Sequence, residues 1–121
     1  MTGTTPTTAA HGHPVIITLP AEIDITSADA LAEQLAAAFT PGTHVVIADM
    51  TATTFCDSPA VAMLVRTHKR AAETNAELRL VTPSRAVLRA LALAIVDYSL
   101  PVYPSLAAAL VPRPAKSIRA S

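Results

Sequence analysis

Glycine is scarce in this chain of 121 residues, and its three positions, Gly3, Gly12 and Gly42, lie away from every junction where a strand is expected to lead into a helix. A glycine-rich loop that brings backbone amides against a phosphate is therefore missing, which excludes nucleotide sites of the Walker and Rossmann types. The single cysteine, Cys56, excludes an internal disulfide and any zinc or iron–sulfur site built on several thiolates. Aromatic residues make up only 3% of the chain and Trp is absent, so a base-stacking surface for nucleic acid is not expected. No uninterrupted apolar run approaches the roughly 18 residues of a membrane span, and the first twenty residues lack the basic start and apolar stretch of a secretory signal. The expectation is a soluble cytoplasmic protein that binds neither membrane nor nucleic acid.

A hydrophobic content of 51% in 121 residues is enough for one core and one domain. Formal net charge is zero, but its distribution along the chain is uneven. Residues 1–64 carry no Lys or Arg and six acids, Glu22, Asp24, Asp29, Glu33, Asp49 and Asp57. Residues 65–121 carry nine basic residues against three acids. Either the folded molecule is electrically two-sided, or the halves interleave and the charges mix.

Hydropathy patterning divides the chain into elements. Residues 1–14 are small, polar and punctuated by Pro, and are expected to form a tail or at most a weak edge strand. Val15 to Leu19 is β-branched and short, hence a strand. Thr26 or Ser27 is expected to cap a helix through Phe39, with Ala28, Leu31, Leu35 and Phe39 on one face. Val45 to Ala48 is continuously apolar, the mark of a strand covered on both faces. A helix from Ser58 to about Glu73 places Val61, Leu64, Val65, His68 and Ala72 on one stripe. Leu78 to Val81 reads as a strand, and Ser84 as the cap of a helix carrying Val87, Leu88, Leu91 and Ile95. A short strand over Leu100 to Tyr103 and a short helix from Ser105 to about Val111 complete the domain, and residues 112–121 form a basic tail. Strands separated by helices of this length demand parallel crossovers, so the class is α/β.

The chemistry concentrates in Phe55-Cys56-Asp57-Ser58-Pro59. Ser is a preferred helix N-cap and Pro a preferred first helical residue, so Ser58-Pro59 serves as a start signal without further function. The same serine, at a helix N-terminus beside Asp57, is also a place where a phosphate could be added at the positive end of a helix dipole. A serine hydrolase of this class needs the strained Gly-x-Ser-x-Gly elbow and an aimed histidine, and neither flank of Ser58 is Gly. Cys56 is expected to be a small buried residue. His11 and His13 offer two nitrogens without a third ligand, so no metal is expected, and His44 and His68 read as structural histidines.

These segments, taken in order, resemble the STAS domains, and among them the bacterial anti-sigma factor antagonists. The resemblance runs from about Val15 to Val111. Ala21-Glu22-Ile23-Asp24 before a capped helix is similar to the family's Gly-Glu-Leu-Asp segment. Val45 to Met50 followed by Phe55-Cys56-Asp57-Ser58 is similar to its core strand and Asp-Ser switch, and Val81-Thr82-Pro83-Ser84 and the segment Val102 to Leu110 also fit. The fold so implied is a small mixed or mostly parallel sheet of four to five strands with about four helices.

The resemblance further implies a non-enzymatic binding module without a cofactor. Its partner is an anti-sigma factor with ATP-dependent serine kinase activity, whose sigma factor is released on binding and which phosphorylates Ser58 to end the interaction. Asp24, Asp57, Ser58, Pro59, Ala60, Val61 and Ala62 are the implied contact residues. The family pattern Asp-Ser-Ser/Thr-Gly-Leu-Gly is replaced here by Asp57-Ser58-Pro59-Ala60-Val61-Ala62, which adds two methyl groups and removes a hydroxyl and an amide donor. A second expectation therefore stands beside the first: a diverged STAS adaptor in a regulatory assembly, with Ser58 only a helix cap and with another copy or another STAS protein as partner.

Overall fold

A computed structural model describes residues 13–111. The expected domain, 15–111, lies within that span. The expected tails, 1–14 and 112–121, and the edge strand considered for residues 4–13 fall almost wholly outside the described residues.

Four strands, β1 (Val15–Thr18), β3 (Val45–Asp49), β5 (Glu77–Val81) and β6 (Val102–Tyr103), form one sheet in that order, every pair parallel. Two further strands of two residues each, β2 (Glu22–Ile23) and β4 (Phe55–Cys56), pair in parallel beside it. The helices are α1 (Ile25–Ala38), α2 (Ser58–Glu73), α3 (Arg85–Tyr98) and α4 (Leu106–Ala109). The order β1-β3-β5-β6 moves always in one direction, so right-handed crossovers place α1, α2 and α3 on one face.

Strand alternation sorts the core into two layers. Val46, Ala48, Leu78 and Leu80 point into the main cluster with Leu31, Leu35, Leu64 and Leu91 from the three long helices. Their neighbours Ile47 and Val81 point to the opposite face, where Ala109 of α4 covers them. Burial on both faces explains why β3 reads as an uninterrupted apolar run. Arg79 occupies this second face and is almost fully buried. Its Nη1 donates to the carbonyls of Ala109 (2.6 Å) and Val111 (3.0 Å), its Nη2 pairs with Glu77 Oε1 at 3.2 Å, and its guanidinium lies 5.7 Å from the Tyr103 ring centre. The buried cation thus binds the carbonyl end of α4 to the sheet.

Several local expectations are corrected. Asp24, rather than Thr26 or Ser27, is the N-cap of α1, and Ser27 completes a capping box by accepting from the Asp24 amide at 3.2 Å. Asp57, rather than Ser58, is the N-cap of α2, so Ser58 and Pro59 are its first two helical residues. The buried stripe of α2 is Ala60, Met63, Leu64, Thr67 and Ala71, with Val65 at its margin. Val61 and His68 are only half-buried and Ala72 is exposed. The helix is therefore rotated relative to the expected stripe, because it packs against α1, α3 and the sheet together. The strands β2 and β4 were not expected. Ser84 and Ser105 cap α3 and α4 as the sequence indicates.

Candidate functional site

Each long helix returns antiparallel to the strands it joins, so the N-termini of α1, α2 and α3 all emerge at the carboxyl edge of the sheet. The short β2–β4 pair aligns two of them. Glu22 lies opposite Phe55 and Ile23 opposite Cys56, and the Asp57 amide donates to the Ile23 carbonyl at 3.2 Å. The next residue on each strand is the cap of the following helix, which brings Asp24 and Asp57 to the same place.

The two carboxylates do different work there. Asp24 Oδ1 accepts from the Thr26 hydroxyl at 2.6 Å and from the Thr26 amide at 2.9 Å. The hydroxyl bond first, then the amide bond, holds the Asp24 carboxyl below the usual carboxylate range. Asp57 divides its oxygens between two helices: Oδ1 accepts from Ala60 N–H at 3.0 Å, and Oδ2 accepts from Ile25 N–H at 3.1 Å. It satisfies one orphan donor at the start of each.

Ser58 stands next to this double cap. It is exposed, and its hydroxyl makes no hydrogen bond among the described residues. Pro59, the next residue, has no amide donor, and the amide of Ala60 is already taken by Asp57.

The other expected contact residues separate by exposure. Ala62 is exposed and Val61 and Pro59 are half-buried, whereas Ala60 is fully buried and presents nothing to a partner. Cys56 is buried, and desolvation, with a smaller push from the Asp57 charge, raises its thiol to about 11. A nucleophile is needed as thiolate, so this thiol is poorly suited to covalent chemistry. His68 is half-buried with Nε2 2.9 Å from the Tyr98 carbonyl, a structural tie between α2 and α3. Among the described residues no cluster of three or more His, Cys, Asp or Glu could hold a metal, and no helix is long and apolar enough to cross a membrane.

A groove of about 740 Å³ runs between α2 and α3 and opens beside Ser58, with Phe55, Val61, Leu93 and Tyr98 among its apolar walls. Leu93 is an apolar residue off the buried stripe of α3, which is the signal that could have revealed it.

The chain matches the family model of the STAS domain over residues 5–109. No curated protein matches it. Among solved structures it is similar to an anti-sigma factor antagonist from Mycobacterium paratuberculosis, with 25% identity, a TM-score of 0.71, and coverage of 83% of this chain and 85% of that one. An anti-sigma-factor antagonist (STAS) domain protein from Planctomyces limnophilus is similar at 25% identity and a TM-score of 0.67, covering 78% and 85%. The unphosphorylated form of the anti-sigma factor antagonist SpoIIAA shares the fold at 18% identity and a TM-score of 0.64, covering 79% and 84%. The family match over most of the chain, the parallel sheet with its helix layer, and the agreement with these structures lead to one assignment: the chain belongs to the STAS domain family.

Proposed function

We propose that this STAS domain is an anti-sigma factor antagonist, a binding module and not an enzyme. Its partner is an anti-sigma factor that is also an ATP-dependent serine kinase, and phosphorylation of Ser58 ends the interaction. The two structures at 25% identity, both described as anti-sigma factor antagonists, support the partner class. The observation that carries the switch is the exposed Ser58 hydroxyl, unbonded among the described residues, beside the double cap of Asp57.

A phosphate on Ser58 adds about −1.5 to −2 charges at pH 7. It would sit against the Asp57 and Asp24 carboxylates at a surface that a partner must desolvate. Since Asp57 already caps α2, the phosphate replaces no bond that holds the fold. The switch then acts by surface charge and not by refolding. Asp24, Asp57, Ser58, Pro59, Val61 and Ala62 frame the contact surface in this reading, and Ala60 supports it from beneath.

The test uses wild-type, Ser58→Ala and Ser58→Asp proteins as baits in lysate of the source organism, with retained proteins identified by mass spectrometry. Wild type and Ser58→Ala are expected to retain an ATPase of the histidine-kinase fold or an anti-sigma factor, and Ser58→Asp to lose it. Equal retention by all three overturns the switch. The competing adaptor reading rests on Pro59 and on the exposed Ala62 standing where the family pattern has Ser/Thr and Gly. It expects retention of other STAS proteins by every bait and no phosphoserine at Ser58 in native protein.

A further inference from the structure

The helix layer resolves the uneven charge of the chain. The outward face of α1 carries Asp29 and Glu33 and no base, whereas exposed positions of α2 and α3 carry Arg66, Lys69, Arg70, Arg85 and Arg89 against Glu73 and Asp97. None of these five cations forms an ion pair among the described residues, where the one short pair is Arg79 with Glu77 on the other face of the sheet. Arg66 and Lys69 line the groove between α2 and α3, and Arg89 stands one helical turn before Leu93. Two acids also line the groove, one at each end: Asp57, whose charged carboxylate accepts two amides beside Ser58, and Asp97 near the end of α3, so the cations Arg66 and Lys69 lie between them.

The apolar side of the groove is equally unpartnered. Leu93 is 77% exposed, Phe55 is 50% exposed, and Tyr98 is 45% exposed with Lys69 Nζ 5.3 Å from its ring centre. Each of these side chains left in water is apolar surface that a partner could cover. Apolar anchors flanked by basic residues without counterions fit an amphipathic helix whose apolar stripe enters the groove and whose flanks are acidic. We infer that the α2–α3 groove is a docking site for an acidic amphipathic helix of a partner protein. The inference stands whether or not Ser58 is ever modified, since Leu93, Arg66 and Lys69 carry it.

A displayed library of helical peptides of about 18 residues, long enough to follow α2, tests this directly. Its apolar stripe is varied among Leu, Ile, Phe and Met on two fixed flanking backgrounds, one Glu-rich and one Lys-rich, and the full unphosphorylated chain is the bait. Glu-rich members are expected to be enriched at least tenfold over Lys-rich ones. The best of them should bind at least tenfold more weakly to Leu93→Asp and to the double variant Arg66→Glu/Lys69→Glu, and should shift NMR signals along the groove. All these positions are solvent-facing, and unchanged circular dichroism shows that the variants fold. Equal enrichment of both backgrounds, binding unaffected by Leu93→Asp, or no enriched peptide at all overturns the inference. Concentration-dependent self-association that Leu93→Asp abolishes would also overturn it, by naming a second copy of this chain as the occupant.

Discussion

Asp57 and Ile25 lie 32 residues apart in sequence, yet the Asp57 carboxylate accepts the Ile25 amide at 3.1 Å while capping its own helix through Ala60 at 3.0 Å. One side chain therefore fixes the starts of α1 and α2 together and positions the serine beside it.

Removing that carboxylate should cost more than removing the serine hydroxyl. Loss of an N-cap costs about 0.5 to 2 kcal/mol, so Asp57→Ala, which uncaps two helices, is expected to lose about 1 to 3 kcal/mol. Ser58→Ala, at an exposed first helical position without a side-chain bond, should stay within about 0.5 kcal/mol. Urea denaturation of the two variants measures both values, and equal losses would place the cap on Ser58.

The same geometry makes the start of α1 sensitive to acid. The Asp24 carboxyl is lowered in the folded state by its bonds to Thr26 and Ser27. Its contribution is therefore fully present above the ordinary carboxylate range and is lost as pH falls through the lowered folded value. Amide hydrogen exchange at Thr26 and Ser27 should accelerate at acid pH relative to the middle of α1, and Asp24→Asn should remove most of that pH dependence.

Burial of Cys56 protects it chemically. With the thiol raised from 9.0 to about 11, the thiolate fraction at pH 8 falls about a hundredfold. Because the folded value is the higher one, the stability that burial of the neutral thiol provides is present below pH 9 and is lost as pH rises toward 11. Alkylation by iodoacetamide at pH 8 should be at least about a hundredfold slower in native protein than in urea-unfolded chain. Rapid native labelling would reveal an activated thiol and revive a covalent role.

Arg79 holds α4 by two carbonyl bonds in a nearly water-free place. Arg79→Ala removes the donors and leaves the Ala109 and Val111 carbonyls unpaired, a loss of about 3 kcal/mol or more. Arg79→Met, which keeps the volume, should recover part of the packing but not the bonds. Limited proteolysis after α4 in both variants, set against their urea midpoints, separates local release of the helix from global loss of stability.

The alternation and length of the apolar runs determined much of this protein by themselves. The run Val45 to Ala48 had to be a strand covered on both faces, the spacing of Ala28, Leu31 and Leu35 had to be a helix face, and Ser84 and Ser105 had to start helices, because each signal is local and unopposed. The Asp57-Ser58 pair was equally legible as a helix start with an exposed hydroxyl. What local chemistry left undecided was which of two good caps would be used. Tertiary structure chose Asp57, since β4 pairing with β2 holds it extended and offers it the amide of Ile25 as a second partner. The rotation of α2 was settled in the same way, by simultaneous packing on α1, α3 and the sheet. So was the groove: the sequence marks Leu93 as off the buried stripe of α3, but only the packing of α3 beside α2 and β4 brings it to one wall with Phe55 and Ser58.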